Sequence, residues 1–481
     1  MNKNIVSFFS DKKLLLIIVL AFLLEMYNII FMSSWLNILL TIPQVLVVLY
    51  YIVKNDIRSA FILHVFFYLT GCDATSASTE MQLLSYPEIK LVGPFTLSYI
   101  ILGLLWLKSR KINVCKSSPL LLQFHQLLKI FMIVAVIIGL FGIVFLSYRI
   151  SDFFLAFIYI LVGYIFVDLL IKLYDDFFLQ LCYNCGLALL VAAPFATFIT
   201  FFVLNITAEY SVFDALIFNE EFMMAPILIL FLFYQSNHKP IILISILAYV
   251  SCVAVAGRGG FFLNIFAAMV SLILLTYLSK GGLFLYRKIL YYVIPILTFL
   301  GITYIGVVSI EGGVSLAGNK LKELISLLSV VGSLGSASFE LTDISDSPYI
   351  RIAETFNIID NGRYNIFYLI LGHGYGGYYV DSTGMFQNVD VSIGGFPQEV
   401  VNSGRFGYAH SFLPCTLLWN GVWGLYLLVR LGISYLKQLK HSPFFFAAFL
   451  LFFYSFYFNT SMFIATAFAL YIAELKLISK N

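Results

Sequence analysis

The chain repeatedly runs for about 20 residues with almost no charged side chain, as in 127–147, LLKIFMIVAVIIGLFGIVFLS; a helix needs a run of that length to cross about 30 Å of hydrocarbon. No water reaches the backbone there, so such runs cross as helices with every hydrogen bond made internally. They lie near 14–32, 35–53, 57–71, 92–107, 127–147, 150–171, 178–205, 222–236, 240–256, 259–278, 289–309, 411–430, 443–458 and 461–475, which makes about 14 spans by the window rule. The third, eighth and last two are short enough for one pair to be re-entrant. Composition agrees: 61% of residues are apolar and 11% charged, against roughly 25% charged in soluble domains, and mean hydropathy is +0.96. The expected fold is an all-α polytopic integral membrane protein. Lys12 and Lys13 lead into the first run, no small-residue cleavage site follows, and a second span comes at once, so that run reads as a retained helix rather than a signal peptide.

Lysine and arginine set the orientation. With alternating threading, 20 of the 28 share one side, among them Lys12, Lys54, Lys108, Lys172, Arg287 and Lys437. The other eight are Lys90, Arg149, Arg258, Lys320, Lys322, Arg351, Arg363 and Arg405. The positive-inside rule then puts both termini in the cytoplasm. A net charge of +3 hides a basic inner rim and an acidic outer side, and nucleic acid is excluded as a partner. Cys182 and Cys185 sit in an apolar run with no second pair to complete a metal site, which reads as core packing, and Cys72 alone faces outward, so no disulfide framework is implied. Glu25, Asp168 and Glu474 are scattered near span interiors or ends with no obvious relay.

The chain divides into spans 1 to 11 (1–309), a large outer loop with short helices (310–410) and spans 12 to 14 (411–481). In the loop, 316–328 (LAGNKLKELISLL) has helical amphipathic spacing and reads as a helix along the membrane surface. The stretch SDSPYIRIAETFNIIDNG, 345–362, offers Ser347 as N-cap, Pro348 at the first helical position and Asn361-Gly362 as a stop. Arg351 then falls in the first turn, where the helix end and the guanidinium would both favour an anion such as phosphate; pairing with Glu354 one turn on is the alternative. In LGHGYGGYYVD, 371–381, the glycines imply tight turns and close backbone approach to a ligand or to another loop. The segment lacks the lysine of a phosphate-binding Walker loop. Tyr375, Tyr378 and Tyr379 suit stacking on sugars or the lipid interface, and His373 is a second acid–base candidate. With Arg405, His373 and Tyr375 are candidate substrate contacts. Arg258 is held near the bilayer surface in the short turn AVAGRGGFF, 254–262; an arginine there either serves the function or snorkels to headgroups.

His410 opens an apolar run, YAHSFLPCTLLWNGVWGLYLL, 408–428. At 100° per residue, Pro414, Leu417, Gly421, Gly424 and Leu428 fall within about 40° of His410. A small-residue stripe of that kind lets a neighbouring helix approach closely, and an imidazole at its end can accept a proton near neutral pH.

His410 and Ser411, nine residues, Gly421, two residues and Gly424 resemble the motif of bacterial O-antigen ligases and the related Wzy-type lipid-linked oligosaccharide polymerases: His, then Asn, Ser or Gln, nine residues, Gly, two residues, then Gly, Thr or Tyr. The order of GRGG, RIAETF, LGHGYGG and the histidine also looks like that family. The resemblance implies a GT-C-like fold in the bacterial inner membrane with the active site facing the periplasm. Arg258 and Arg351 would hold the pyrophosphate of an undecaprenyl-diphosphate-linked oligosaccharide, and His410 would activate the acceptor hydroxyl. No cofactor and no metal are implied; Asp343 and Asp346 read as caps. Expected partners are the lipid-linked oligosaccharide, membrane lipid and a chain-length regulator of the same pathway. Span number and loop length favour a polymerase over a ligase acting on lipid A core, by analogy; a glycolipid flippase or exporter is the rival of a different class.

Overall fold

The computed structural model describes residues 11–31, 35–70, 84–87, 89–92, 95–112, 119–173, 192, 346–363, 365–388, 396, 398–409 and 412–438. Seven of the expected spans fall there; the five between 178 and 309 and the last two lie outside the described residues, as does the surface helix expected at 316–328. The seven are helices: α1 (Asp11–Ile30), α2 (Leu36–Val53), α3 (Ile57–Leu69), α4 (Leu97–Ser109), α5 (Pro119–Phe145), α6 (Ile150–Lys172) and, later in the chain, α10 (Phe412–Lys437). Four of them, α2, α5, α6 and α10, are long and apolar enough to cross a membrane, and α1, α3 and α4 contain shorter apolar stretches. The protein is thus a mostly helical membrane protein, with one antiparallel pair among the described residues, β1 (Lys90–Val92) and β2 (Phe95–Thr96).

Local chemistry explains several boundaries. Asp56 caps α3 by accepting the Ser59 N–H at 3.1 Å, and Thr96 caps α4 through the Tyr99 N–H. α5 begins eight residues before the expected run, because Pro119 suits a first helical position and Leu120, Leu121 and Phe124 are buried ahead of the polar Lys129. The Asp168 carboxylate ties three helices together. It accepts from Trp106 Nε1 on α4 at 2.7 Å, pairs with Lys172 at 2.7 Å and lies 3.5 Å from His125 Nε2 on α5. An acid that looked isolated in sequence is therefore a packing anchor. On α2, Asn37, Thr41 and Gln44 share the buried face. Thr41 donates to the Leu84 carbonyl at 2.9 Å, and His64 on α3 bonds the Tyr86 hydroxyl at 2.9 Å.

The second described region runs through α7 (Asp346–Arg363), α8 (Ile366–Leu371), a 3-10 turn (Met385–Asn388), α9 (Gln398–Ser403) and α10. α7 starts at Asp346, one residue before the expected cap, and runs through the expected stop. Asn361 does not end it: its side chain donates to the Asn357 and Val380 carbonyls and to Ser382, and accepts the Val380 N–H. Asn357, fully buried, donates to Asp381 at 2.9 Å and accepts from the Thr383 N–H and hydroxyl. These two amides fasten residues 380–383 along α7.

Candidate functional site

The site assembles on α10, the helix that follows His410. It is not the straight helix counted from sequence: Gly421 has φ 63° and ψ −167°, splitting it into 412–420 and 422–437. The chain from Ile370 to Gly372 crosses there. A Cβ on Gly421 would strike the Ile370 carbonyl and the Gly372 nitrogen, and one on Gly372, itself at φ 79°, would strike the Trp419–Asn420 backbone. In an unbroken helix the Leu418 carbonyl would take the Val422 N–H; here it accepts the His373 N–H at 2.6 Å. Gly424 lies under the Asn420 side chain, near Phe131 of α5. Both motif glycines are thus explained by close packing.

The glycine-rich loop continues inward. Gly374, at φ 71°, packs on Ala135, Ile138 and Gly139 of α5, and Gly376, at φ 78°, packs on Phe153 of α6. The Tyr375 N–H donates to the Ala135 carbonyl at 3.1 Å. Close backbone approach was the expectation for these glycines, and the partners are helices. Tyr375 is fully buried among Phe153, Phe157 and Trp419, and Tyr379 is fully buried against Phe406 and Phe386. Neither ring presents a face to a sugar or to the lipid interface; of the three tyrosines only Tyr378 is partly exposed.

His373 is 7% exposed and stacks on Tyr368 at 4.4 Å, and its Nε2 has no hydrogen-bond partner among the described residues.

Where the loop emerges, groups distant in sequence meet. The Arg405 guanidinium lies 4.9 Å over the Tyr378 ring, a cation–π arrangement. Tyr148, in the α5–α6 turn, stands edge-on to Tyr378 at 5.8 Å and lies beside Tyr368. Tyr379 and Phe406 exchange backbone hydrogen bonds at 3.1 and 3.0 Å, which fixes Arg405 beside the loop, and a Cβ on Gly407 would come 3.8 Å from the Asp152 carboxylate. Arg405 and Tyr378 were singled out from sequence; Tyr148, Asp152 and Tyr368 were not, and no local pattern marks them.

Arg351 is the sixth residue of α7 and its side chain is exposed. Two residues further in than expected, and past the first turn, it gains less from the helix end, whose field falls off within that turn. Glu354 is fully buried instead. The Tyr379 hydroxyl is pushed well above its ordinary pKa, by burial first and then by the charges of Glu354, Cys415, Tyr408 and Asp381. Among the described residues no group of three or more His, Cys, Asp or Glu could hold a metal ion. Arg258, His410 and Ser411 lie outside the described residues. Compared with known proteins, the chain matches no family model, no curated protein and no solved structure.

Proposed function

We propose that the protein is a glycosyltransferase that polymerises undecaprenyl-diphosphate-linked O-antigen, or a similar surface polysaccharide, at the periplasmic face of the bacterial inner membrane. The observation that carries the reading is the gathering of separated motifs on one helix. The RIAETF helix and the glycine-rich loop both pack on α10, the helix that follows His410, and the loop crosses it at the motif glycine Gly421. In the proposed step His410 takes the proton from an acceptor hydroxyl, the oxygen bonds to the donor's anomeric carbon, and the bond to pyrophosphate breaks. Undecaprenyl diphosphate leaves with its growing charge held by Arg258 and Arg351.

The test is polymer formation by the purified protein from a synthetic lipid-linked repeat, where a ladder of lengths is expected. Transfer only to lipid A core would make it a ligase. In Arg351→Lys the charge stays but the fork that matches a phosphate is lost. Losing a charged hydrogen bond of roughly 1.5 to 3 kcal/mol should cut turnover about 10- to 100-fold at normal protein level. Full activity would make Arg351 structural.

A second reading, a glycolipid transporter, is favoured by the broken α10 meeting the end of the short helix α8 at Gly421, since broken helices that meet inside the membrane form substrate sites in transporters. Movement of the lipid-linked repeat across proteoliposomes without any new glycosidic bond would select it.

A further inference from the structure

We propose that residues 366–378, expected to belong to an extramembrane loop, form a re-entrant hairpin inside one bilayer leaflet, with Ile366, Phe367 and Ile370 against lipid acyl chains. The inference stands apart from the enzymatic reading.

Two helices give the depth independently. The lowest point of the loop is at Gly374 and Tyr375, where the Tyr375 N–H bonds the Ala135 carbonyl. Ala135 lies ten residues before the end of α5 at Phe145, about 15 Å at 1.5 Å per residue. On α10, Ile370 and Gly372 pack on Gly421, nine residues after Phe412 and hence about 14 Å along the helix. Both values are close to half of a hydrocarbon core of about 30 Å.

Both limbs start from the same end of the bundle. On the way down, Tyr368 passes Tyr148 in the α5–α6 turn; on the way up, Gly376 passes Phe153, three residues into α6, and Tyr378 returns to Tyr148. Irregular backbone is tolerated at such depth only where protein satisfies it. Here the N–H groups of Gly372, His373, Tyr375 and Gly377 donate to Tyr368, Leu418, Ala135 and Gly374.

The occupant of the outward side follows from its chemistry and its neighbours. α8 reads IFYLIL, without a charge and without a buried residue, and Phe367 and Ile366 are 68% and 57% exposed. At the same level, α5 exposes Ile137, Leu140 and Phe141, and α10 exposes Val422. α8 therefore continues the apolar exterior of two helices that are long enough to span. Water is a poor neighbour for such a patch, and hydrocarbon is a good one.

The test uses the full-length protein in proteoliposomes. A spin label at Phe367→Cys, in a background with the six native cysteines replaced, should collide several-fold more with oxygen than with a water-soluble nickel chelate, and a label at Ser382→Cys should show the reverse. Benzoyl-phenylalanine in place of Phe367, in the otherwise natural chain, should give lipid adducts on illumination and covers the case that the cysteine-free protein fails to fold. Preference for the nickel chelate at 367 would place α8 in water. Protection from both reagents, or adducts with protein only, would mean that protein covers it, either another part of this chain or a second molecule. Either result overturns the proposal.

Discussion

Gly421→Ala is expected to remove most of the folded protein, although it adds a single methyl group. Position 421 holds φ 63° and ψ −167°, a combination essentially confined to glycine, and forcing it on alanine costs roughly 1 to 3 kcal/mol. The new Cβ would also meet the Ile370 carbonyl and the Gly372 nitrogen, backbone atoms that cannot swing aside as a side chain can. Residues 370–373 would have to lift from α10, and the buried His373 N–H would lose the Leu418 carbonyl, a further cost of about 1 to 3 kcal/mol. Together these approach the 5 to 15 kcal/mol of net stability typical of a folded protein. Two controls grade the effect. Gly404 shares a φ of 63° but has nothing within 4 Å of an added Cβ, so Gly404→Ala should lose only the backbone preference, about 1 to 2 kcal/mol. Gly103, within α4 and equally open, should tolerate alanine or gain about 0.5 to 1 kcal/mol. Folded yield and melting temperature in detergent should rank Gly103→Ala above Gly404→Ala above Gly421→Ala. A wild-type melting temperature for Gly421→Ala would refute the crossing.

The helices were legible because hydrocarbon leaves few alternatives, and α6 lies within a residue of its expected range. The start of α5 was missed because Gln123, His125 and Lys129 end the apolar window while the buried leucines continue behind them. The glycine spacing of α10 was legible as a place of close approach, but a straight helix crossed by a helix and a broken helix crossed by a loop leave the same glycines in the sequence. Which one forms depends on the backbone that arrives from residues 370–373. Periodicity cannot foresee the burial of Tyr375 and Tyr379 either, since YGGYY is compatible with an interfacial loop as well as with one seated among α5, α6 and α10. Tyr148 comes to Tyr378 from the α5–α6 turn and Asp152 comes near Gly407 from the start of α6, both far back in the chain, and only the folded arrangement names them.

The two histidines of the candidate site should behave oppositely, and this separates the enzyme from a transporter. His373 is sealed, stacked on Tyr368 and without a polar partner for Nε2 among the described residues, so an acceptor sugar in water does not meet it. Its substitution should act on stability, with turnover per folded molecule little changed. His410 is the proposed base: it directly precedes the helix on which α7 and the glycine-rich loop pack, and removing a positioned general base typically costs 10² to 10⁴ in rate. In His410→Ala the arginines remain, so lipid-linked substrate should bind as before while bond formation falls by about 10²-fold or more. The measurement is polymer formed per folded molecule, beside binding of the same lipid-linked repeat, over about pH 5 to 9. For a group with a reference pKa near 6.5, wild-type activity should rise through that region as the imidazole loses its proton, and the alanine variant should lack that limb. If His410→Ala polymerises at the wild-type rate, proximity and electrostatics alone carry the reaction. If it binds normally and transports at the wild-type rate while neither protein forms a bond, the protein is a carrier.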